Sequence, residues 1–157
     1  MHQAHQPTPL VADADVPRQG GGANRPVTEV AVGVLIRPDG AFLLTTRPAG
    51  KAYAGYWEFP GGKLEPAESV EQALARELLE ELGVTIGSAR PWKSEVVDYP
   101  HALVRLHFCK VFTWVGALQM REGQSFVWTQ LPVKLQPVLP GTLPVLDWLA
   151  QERGLLS

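Results

Sequence analysis

Hydrophobic positions from Val27 onward fall into short alternating runs, broken once by a stretch in which they recur every four residues. Val30, Val32, Val34 and Ile36 alternate with smaller residues, which predicts a strand, and Pro38-Asp39-Gly40 has turn chemistry. Phe42, Leu43 and Leu44 begin a second strand running to Arg47, expected to be the hairpin partner of the first. Residues 48–56 predict an exposed loop, and Trp57-Glu58-Phe59-Pro60 leads into a Gly61-Gly62 turn. Val70, Leu74, Leu78 and Leu82 then form the buried stripe of a helix starting at Pro66 or Ala67 and stopped by Gly83. Beyond it, Glu95–Tyr99 and Leu103–Trp114 flank a Pro100-His101-Ala102 turn and predict a second hairpin. Phe126–Trp128 predicts a further strand and Leu143–Gln151 a closing helix. Helices mixed with clustered hairpins imply an α+β fold or mixed α/β sandwich.

Residues 1–26 lack sustained periodicity and are rich in Gln, Pro, Gly, Ala and Asp, which predicts a disordered tail ending in Gly20-Gly21-Gly22. His2 and His5 are expected to be solvated tail residues. Residues 27–157 then form one domain. The chain has 157 residues, 45% hydrophobic and 19% charged, enough for a single core. A formal net charge of −2 gives no reason to expect duplex nucleic acid as a partner. Cys109 is the only cysteine, which excludes an intramolecular disulfide and a Cys-rich zinc site. No run approaches the ~20 apolar residues of a transmembrane helix. The N-terminus has neither an apolar nor a basic signal region, so a cytoplasmic protein is expected.

The helix carries the chemistry. Glu77, Glu80 and Glu81 stand at i, i+3 and i+4 and share one arc of about 100°. Like charges so placed repel by a few tenths of a kcal/mol per pair. A hard divalent cation, Mg²⁺ or Mn²⁺, would relieve that repulsion through carboxylate oxygens. The arc overlaps the edge of the buried stripe, so these carboxylates are expected at the rim between helix and core. Gly61 and Gly62 are expected to let the backbone turn tightly and leave a backbone group open to a phosphate–metal assembly. Arg76, offset from Glu77 by one residue, is placed to pin a supporting carboxylate, with Glu68 at the helix start as its candidate partner.

From Gly62 through Glu68, Arg76, Glu77, Leu78, Glu80, Glu81 and Gly83 to Val84, the spacing G-x5-E-x7-R-E-L-x-E-E-x-G-V resembles the Nudix box at every fixed position. With Trp57-Glu58-Phe59-Pro60 and the Gly-Gly lead-in, the chain is similar to the mutator-T branch of the Nudix hydrolases. The resemblance implies an α/β/α sandwich with a mixed central sheet. It also implies hydrolysis of a nucleoside triphosphate to monophosphate and pyrophosphate, in the service of sanitising modified nucleotides of the 8-oxo-dGTP type. Glu77, Glu80 and Glu81 would be the metal ligands, with Glu77 or a neighbour activating water. Glu122 resembles a distal glutamate that completes the metal site, to which Gly61 and Gly62 are also expected to contribute. Arg47, Glu58, Phe59, Lys63 and Thr142 are the implied substrate-binding residues, with Phe59 or an aromatic of the other strands as the candidate for stacking on a base. Thr142 stands where the branch that clears oxidised guanine nucleotides has an asparagine, whose paired donor and acceptor a hydroxyl does not reproduce. The expected partner is a small nucleotide, and the expected assembly a monomer or weak homodimer.

Two alternatives stand beside this reading. One is a Nudix hydrolase of another nucleoside diphosphate derivative (ADP-ribose, a nucleotide sugar or a dinucleoside polyphosphate). The other is a non-catalytic nucleotide-binding module. Glu65 and Glu71 are expected to be surface charges, His101 and His107 a turn and a strand histidine, Cys109 core, and the five tryptophans mostly core.

Overall fold

Alternation along the first long strand sets the layers. In the computed structural model, which describes residues 8–20 and 25–155, β1 (Leu10–Val11) is followed by β2 (Val27–Leu35). Ala31 and Leu35 of β2 face one helix, while Val32 and Val34, with Ile36 just beyond, face the other. Both faces of β2 are therefore apolar, as a central strand requires. Gly33 marks the closest approach: a Cβ there would lie 3.2 Å from methyl carbons of Leu74 and Leu78.

The chain continues through β3 (Phe42–Thr46), β4 (Trp57–Glu58), β5 (Gly61–Lys63) and α1 (Val70–Leu82). Then come β6 (Thr85–Ile86), β7 (Ala89–Asp98), β8 (Leu103–Val111), β9 (Trp114–Val115), β10 (Phe126–Thr129) and α2 (Leu143–Glu152). The main sheet has the order β1-β7-β8-β2-β5 and is mixed: β2 runs parallel to β8, while β7–β8 and β2–β5 are antiparallel. A second sheet, β10-β3-β4, and the pair β6-β9 complete the framework. Leu74, Leu78 and Leu82 of α1 pack on one face of the main sheet, and Val145 and Leu149 of α2 on the other. The architecture is the expected α/β/α sandwich. No helix among the described residues is long and apolar enough to cross a membrane.

Four expectations need correction. The strand from Phe42 is not the hairpin partner of β2. Only Ile36 bridges to Phe42, after which β3 leaves to pair with β10 and β4. Helix α1 begins at Val70, because Ser69 caps the Gln72 N–H while the Gln72 side chain accepts from the Ser69 N–H. Gly61-Gly62 is strand, registered on Val32 and Ala31, and not a turn. Part of the presumed tail is ordered. Leu10 and Val11 pair parallel with Val97 and Asp98, Ala12 is buried, and the buried Arg25 pairs with Asp98 and donates to the Tyr99 carbonyl at 2.8 Å. Backbone pairing and side-chain bonds from Arg18 and Arg25 hold this segment, and neither leaves a periodic trace. His2, His5, Gly21 and Gly22 lie outside the described residues.

Candidate active site

Helix α1 brings its carboxylates to the edge of β5, where the space belongs to glycine. A Cβ on Gly62 would fall 2.2 Å from the Glu77 carboxyl carbon, so that carboxylate lies directly against the Gly62 backbone. A Cβ on Gly61 would fall 2.0 Å from the Ala31 carbonyl oxygen, so that glycine serves strand pairing. The two glycines are required by close approach, not by turn geometry.

Arg76 organises the near side. Its Nε and Nη2 donate to Glu68 at 2.7 and 2.8 Å, its Nη2 to the Lys63 carbonyl at 2.9 Å, and its Nη1 to Glu77 Oε1 at 2.9 Å. The forked pair draws the Glu68 carboxyl down to about 2, helped by the hydrogen bond from the Glu65 N–H. Glu68 precedes the cap residue Ser69, and its partners are Arg76, as expected from the sequence, and a loop N–H. Glu80 is 59% exposed and turned toward Arg76 Nη1 at 3.4 Å.

The far side comes from the loop before β10. It docks on the C-terminal end of α1, which Gly83 closes in the left-handed conformation. The Gln119 N–H donates to the Leu82 carbonyl, the Arg121 N–H to that of Glu81, and Arg121 Nη1 to that of Leu79. Buried Gln124 accepts from the Glu122 N–H at 3.0 Å, fixing Glu122 over the end of the helix. Glu81 sits in the combined field of Glu77, Glu122 and Glu58. Burial first, and those carboxylates second, push its carboxyl up to about 9. Burial also raises Glu58, against the pull of Arg47, whose Nη1 donates to it at 3.1 Å. Lys51, in the loop after Arg47, opposes the shift at both Glu58 and Glu81 and so borders the cluster.

Among the described residues no three acidic, imidazole or thiol groups stand close enough to hold an ion as placed. The donor set nevertheless fits a hard dication. It is all carboxylate oxygen, a glycine backbone leaves it room, and its mutual repulsion is what a dication relieves.

A family model, the NUDIX domain, matches residues 27–147. The chain belongs to the NUDIX family. Among its NUDIX relatives, a CTP pyrophosphohydrolase of Escherichia coli K12 is 41% identical over 117 residues, covering 74% of this chain and 87% of the relative. An 8-oxo-dGTP diphosphatase of Haemophilus influenzae is 36% identical over 107 residues, covering 68% and 79%. The solution structure of the E. coli ORF135 protein superposes with a TM-score of 0.70 at 39% identity, covering 81% of this chain and 91% of that one.

Within this NUDIX domain, the positions singled out in the sequence divide into two groups. Glu58, Glu77, Glu81 and Glu122 gather with Arg47, Arg76 and the Gly62 backbone, while Lys63 is exposed beside them and lends its carbonyl to Arg76. Phe59 and Thr142 do not join them as exposed groups. Phe59 is 4% exposed, its ring 5.8 Å from that of Phe42 in the core, so it packs and does not stack on a ligand. Thr142 is 3% exposed in the turn that starts α2, where its N–H donates to the Leu139 carbonyl. His107 is a strand histidine, 2.7 Å from Glu29, and Cys109 is buried. All five tryptophans are only half-buried, at the margins of the core. Sequence reasoning missed Lys51, Arg121 and Gln124. Their roles depend on loop docking, and only the polar run Arg121–Gln124 hinted at it.

Proposed function

We propose that the chain hydrolyses nucleoside triphosphates to the monophosphate and pyrophosphate, with Mg²⁺ or Mn²⁺ as cofactor. The Glu77 carboxylate lying against the Gly62 backbone, with Glu81 close enough for burial and the charges of Glu77 and Glu122 to raise its carboxyl, carries this reading. Glu77, Glu80, Glu81 and Glu122 would hold the cation beside Gly61 and Gly62. When bound, a divalent ion offsets charge on the polyphosphate and acidifies a coordinated water. Arg76 fixes the Glu77 carboxylate through Oε1, and Glu77 or a neighbouring glutamate takes the proton of the attacking water. Arg47, Lys51 and Lys63 supply positive charge for phosphate oxygens, Arg47 being oriented by Glu58. The curated relatives act by name on CTP and on 8-oxo-dGTP, which makes a pyrimidine triphosphate and an oxidised purine triphosphate the first substrates to compare. Buried Thr142 supports neither as a base reader.

The test is pyrophosphate release from canonical and oxidised nucleoside triphosphates with Mg²⁺. Turnover of at least one, abolished by chelation, is expected. Folded protein that releases pyrophosphate from none of them would sink the proposal.

A further inference from the structure

The loop 48–56 borders the carboxylate cluster and is held from both sides. From within, the Arg47 N–H donates to the Tyr56 carbonyl at 2.9 Å, and Arg47 Nε to that of Ala52 at 2.6 Å. From without, the Tyr53 hydroxyl donates to the Asp13 carboxylate of the N-terminal segment. That segment precedes the family-matched region 27–147. Both partners of this bond have left-handed backbones, φ +50 at Asp13 and +59 at Tyr53. Among the described non-glycine residues only Ala67 shares that conformation. Such backbones persist where surrounding contacts over-determine them, and they collect at ligand sites.

The segment is anchored for this purpose. β1 pairs with β7, the Ala12 N–H donates to the Asp98 carbonyl at 2.9 Å, and Arg18 Nη2 donates to the Asp13 carbonyl at 3.0 Å. What it holds is an aromatic wall. The Tyr53 ring lies 5.4 Å from Tyr99 and 5.8 Å from His101, and Tyr99 lies 5.3 Å from His101. Tyr99 is buried and backs the other two, Tyr53 is half-buried, and His101 is exposed.

We propose that Tyr53, fixed in place by Asp13, forms with His101 the wall that receives the nucleobase, so that a segment outside the family-matched region sets nucleotide affinity. The inference rests on the nucleotide chemistry proposed above. Any base offers a π-face to an aromatic wall beside a polyphosphate site, which fits affinity without strict base choice. Burial and the nearby Arg47, Arg25 and Lys63 hold His101 below the usual imidazole range, and of these Arg47 and Lys63 are the cations proposed for phosphate. Asp13 is then a positioning residue, acting through Tyr53.

The experiment compares steady-state kinetics and calorimetric binding of a non-hydrolysable nucleoside triphosphate in the full chain and in Y53F, Y53A, D13G and D13N. Y53F keeps the ring and loses the bond. D13G removes the acceptor at a left-handed position that glycine tolerates, and D13N keeps both acceptor and tolerance. Y53F and D13G should each raise KM and Kd about fivefold, the factor of one hydrogen bond, with kcat within about twofold. Y53A should raise them about tenfold or more, and D13N should restore wild-type values. A merely structural bond would lower the melting temperature in Y53F and D13G and leave KM and Kd unchanged well below it, which overturns the inference. A wild type that neither turns over nor binds nucleotide overturns the proposed function and this inference together.

Discussion

Burial and the neighbouring carboxylates favour the protonated form of Glu81, and a cation sharing its site would favour the ionised one. Its folded-state carboxyl stands at about 9, against 4.5 as the ordinary value. Between those values the unfolded chain has released a proton that the folded chain keeps, so the folded state loses stability as pH rises. From pH 7 to 8.5 the metal-free protein should therefore melt at progressively lower temperature. Saturating Mg²⁺ should flatten that slope and release a proton on binding, both measurable by thermal melts and calorimetry in two buffers. Glu68 behaves oppositely: held at about 2 by Arg76, it contributes stability that is lost only as pH falls below the ordinary carboxyl range. Arg76→Lys cannot reproduce the forked bond to Glu68 while also holding Glu77, and should lower kcat about 10- to 100-fold. Glu80 is exposed, so Glu80→Gln should leave the melting temperature nearly unchanged while removing most turnover. Helical spacing made Glu77 and Glu81 legible as neighbours, whereas Glu80, expected at the same rim, stands exposed and turns to Arg76, because its own end of the arc faces solvent. Phe59 and Thr142 were misjudged because burial depends on what packs above a residue, and Phe42, which meets the Phe59 ring, comes from β3.

At the scale of elements, strand β5 and helix α1 define each other. Adjacent glycines serve different ends, and two single substitutions separate them. Gly62→Ala should push the Glu77 side chain aside, leaving a folded protein with little turnover, because the obstructed group is the end of a flexible side chain. Gly61→Ala meets the Ala31 carbonyl of the neighbouring strand and should cost stability, by at least ~2 kcal/mol in chemical denaturation. Obtaining the reverse assignment, a stable Gly61→Ala beside an unfolded Gly62→Ala, would contradict this packing. The helix stop at Gly83 was legible as a glycine after the last apolar position, and the closing helix was legible from its own pattern. The helix start was not, because Pro66 and Ala67 look like a first turn until Ser69 and Gln72 are recognised as a reciprocal cap. The false hairpin has the same origin. Alternation identifies a strand without identifying its neighbour, and β2 finds β8 in parallel across a long connection.

Across the whole molecule, the family-matched region supplies the sandwich and the carboxylates, while the preceding segment ties down the opposite wall of the site. Composition hid that contribution, since a two-residue strand and a single buried arginine are compatible with a tail. The two ends of the site are joined through Arg47, which follows β3, reaches Glu58 and anchors the Tyr53 loop. Binding of metal and nucleotide should therefore stabilise the protein by mass action, and the gain should be smaller in D13G than in wild type. The central claim is that the α1 carboxylates and Glu122 converge on one divalent ion. Titrating the free Mn²⁺ electron paramagnetic resonance signal, with a non-hydrolysable nucleoside triphosphate present, tests it most directly. Wild-type protein should deplete that signal, with affinity at least ~10-fold weaker in Glu81→Gln and Glu122→Gln, since each removes a charged ligand. Mn²⁺ affinity equal to wild type in both variants would contradict it.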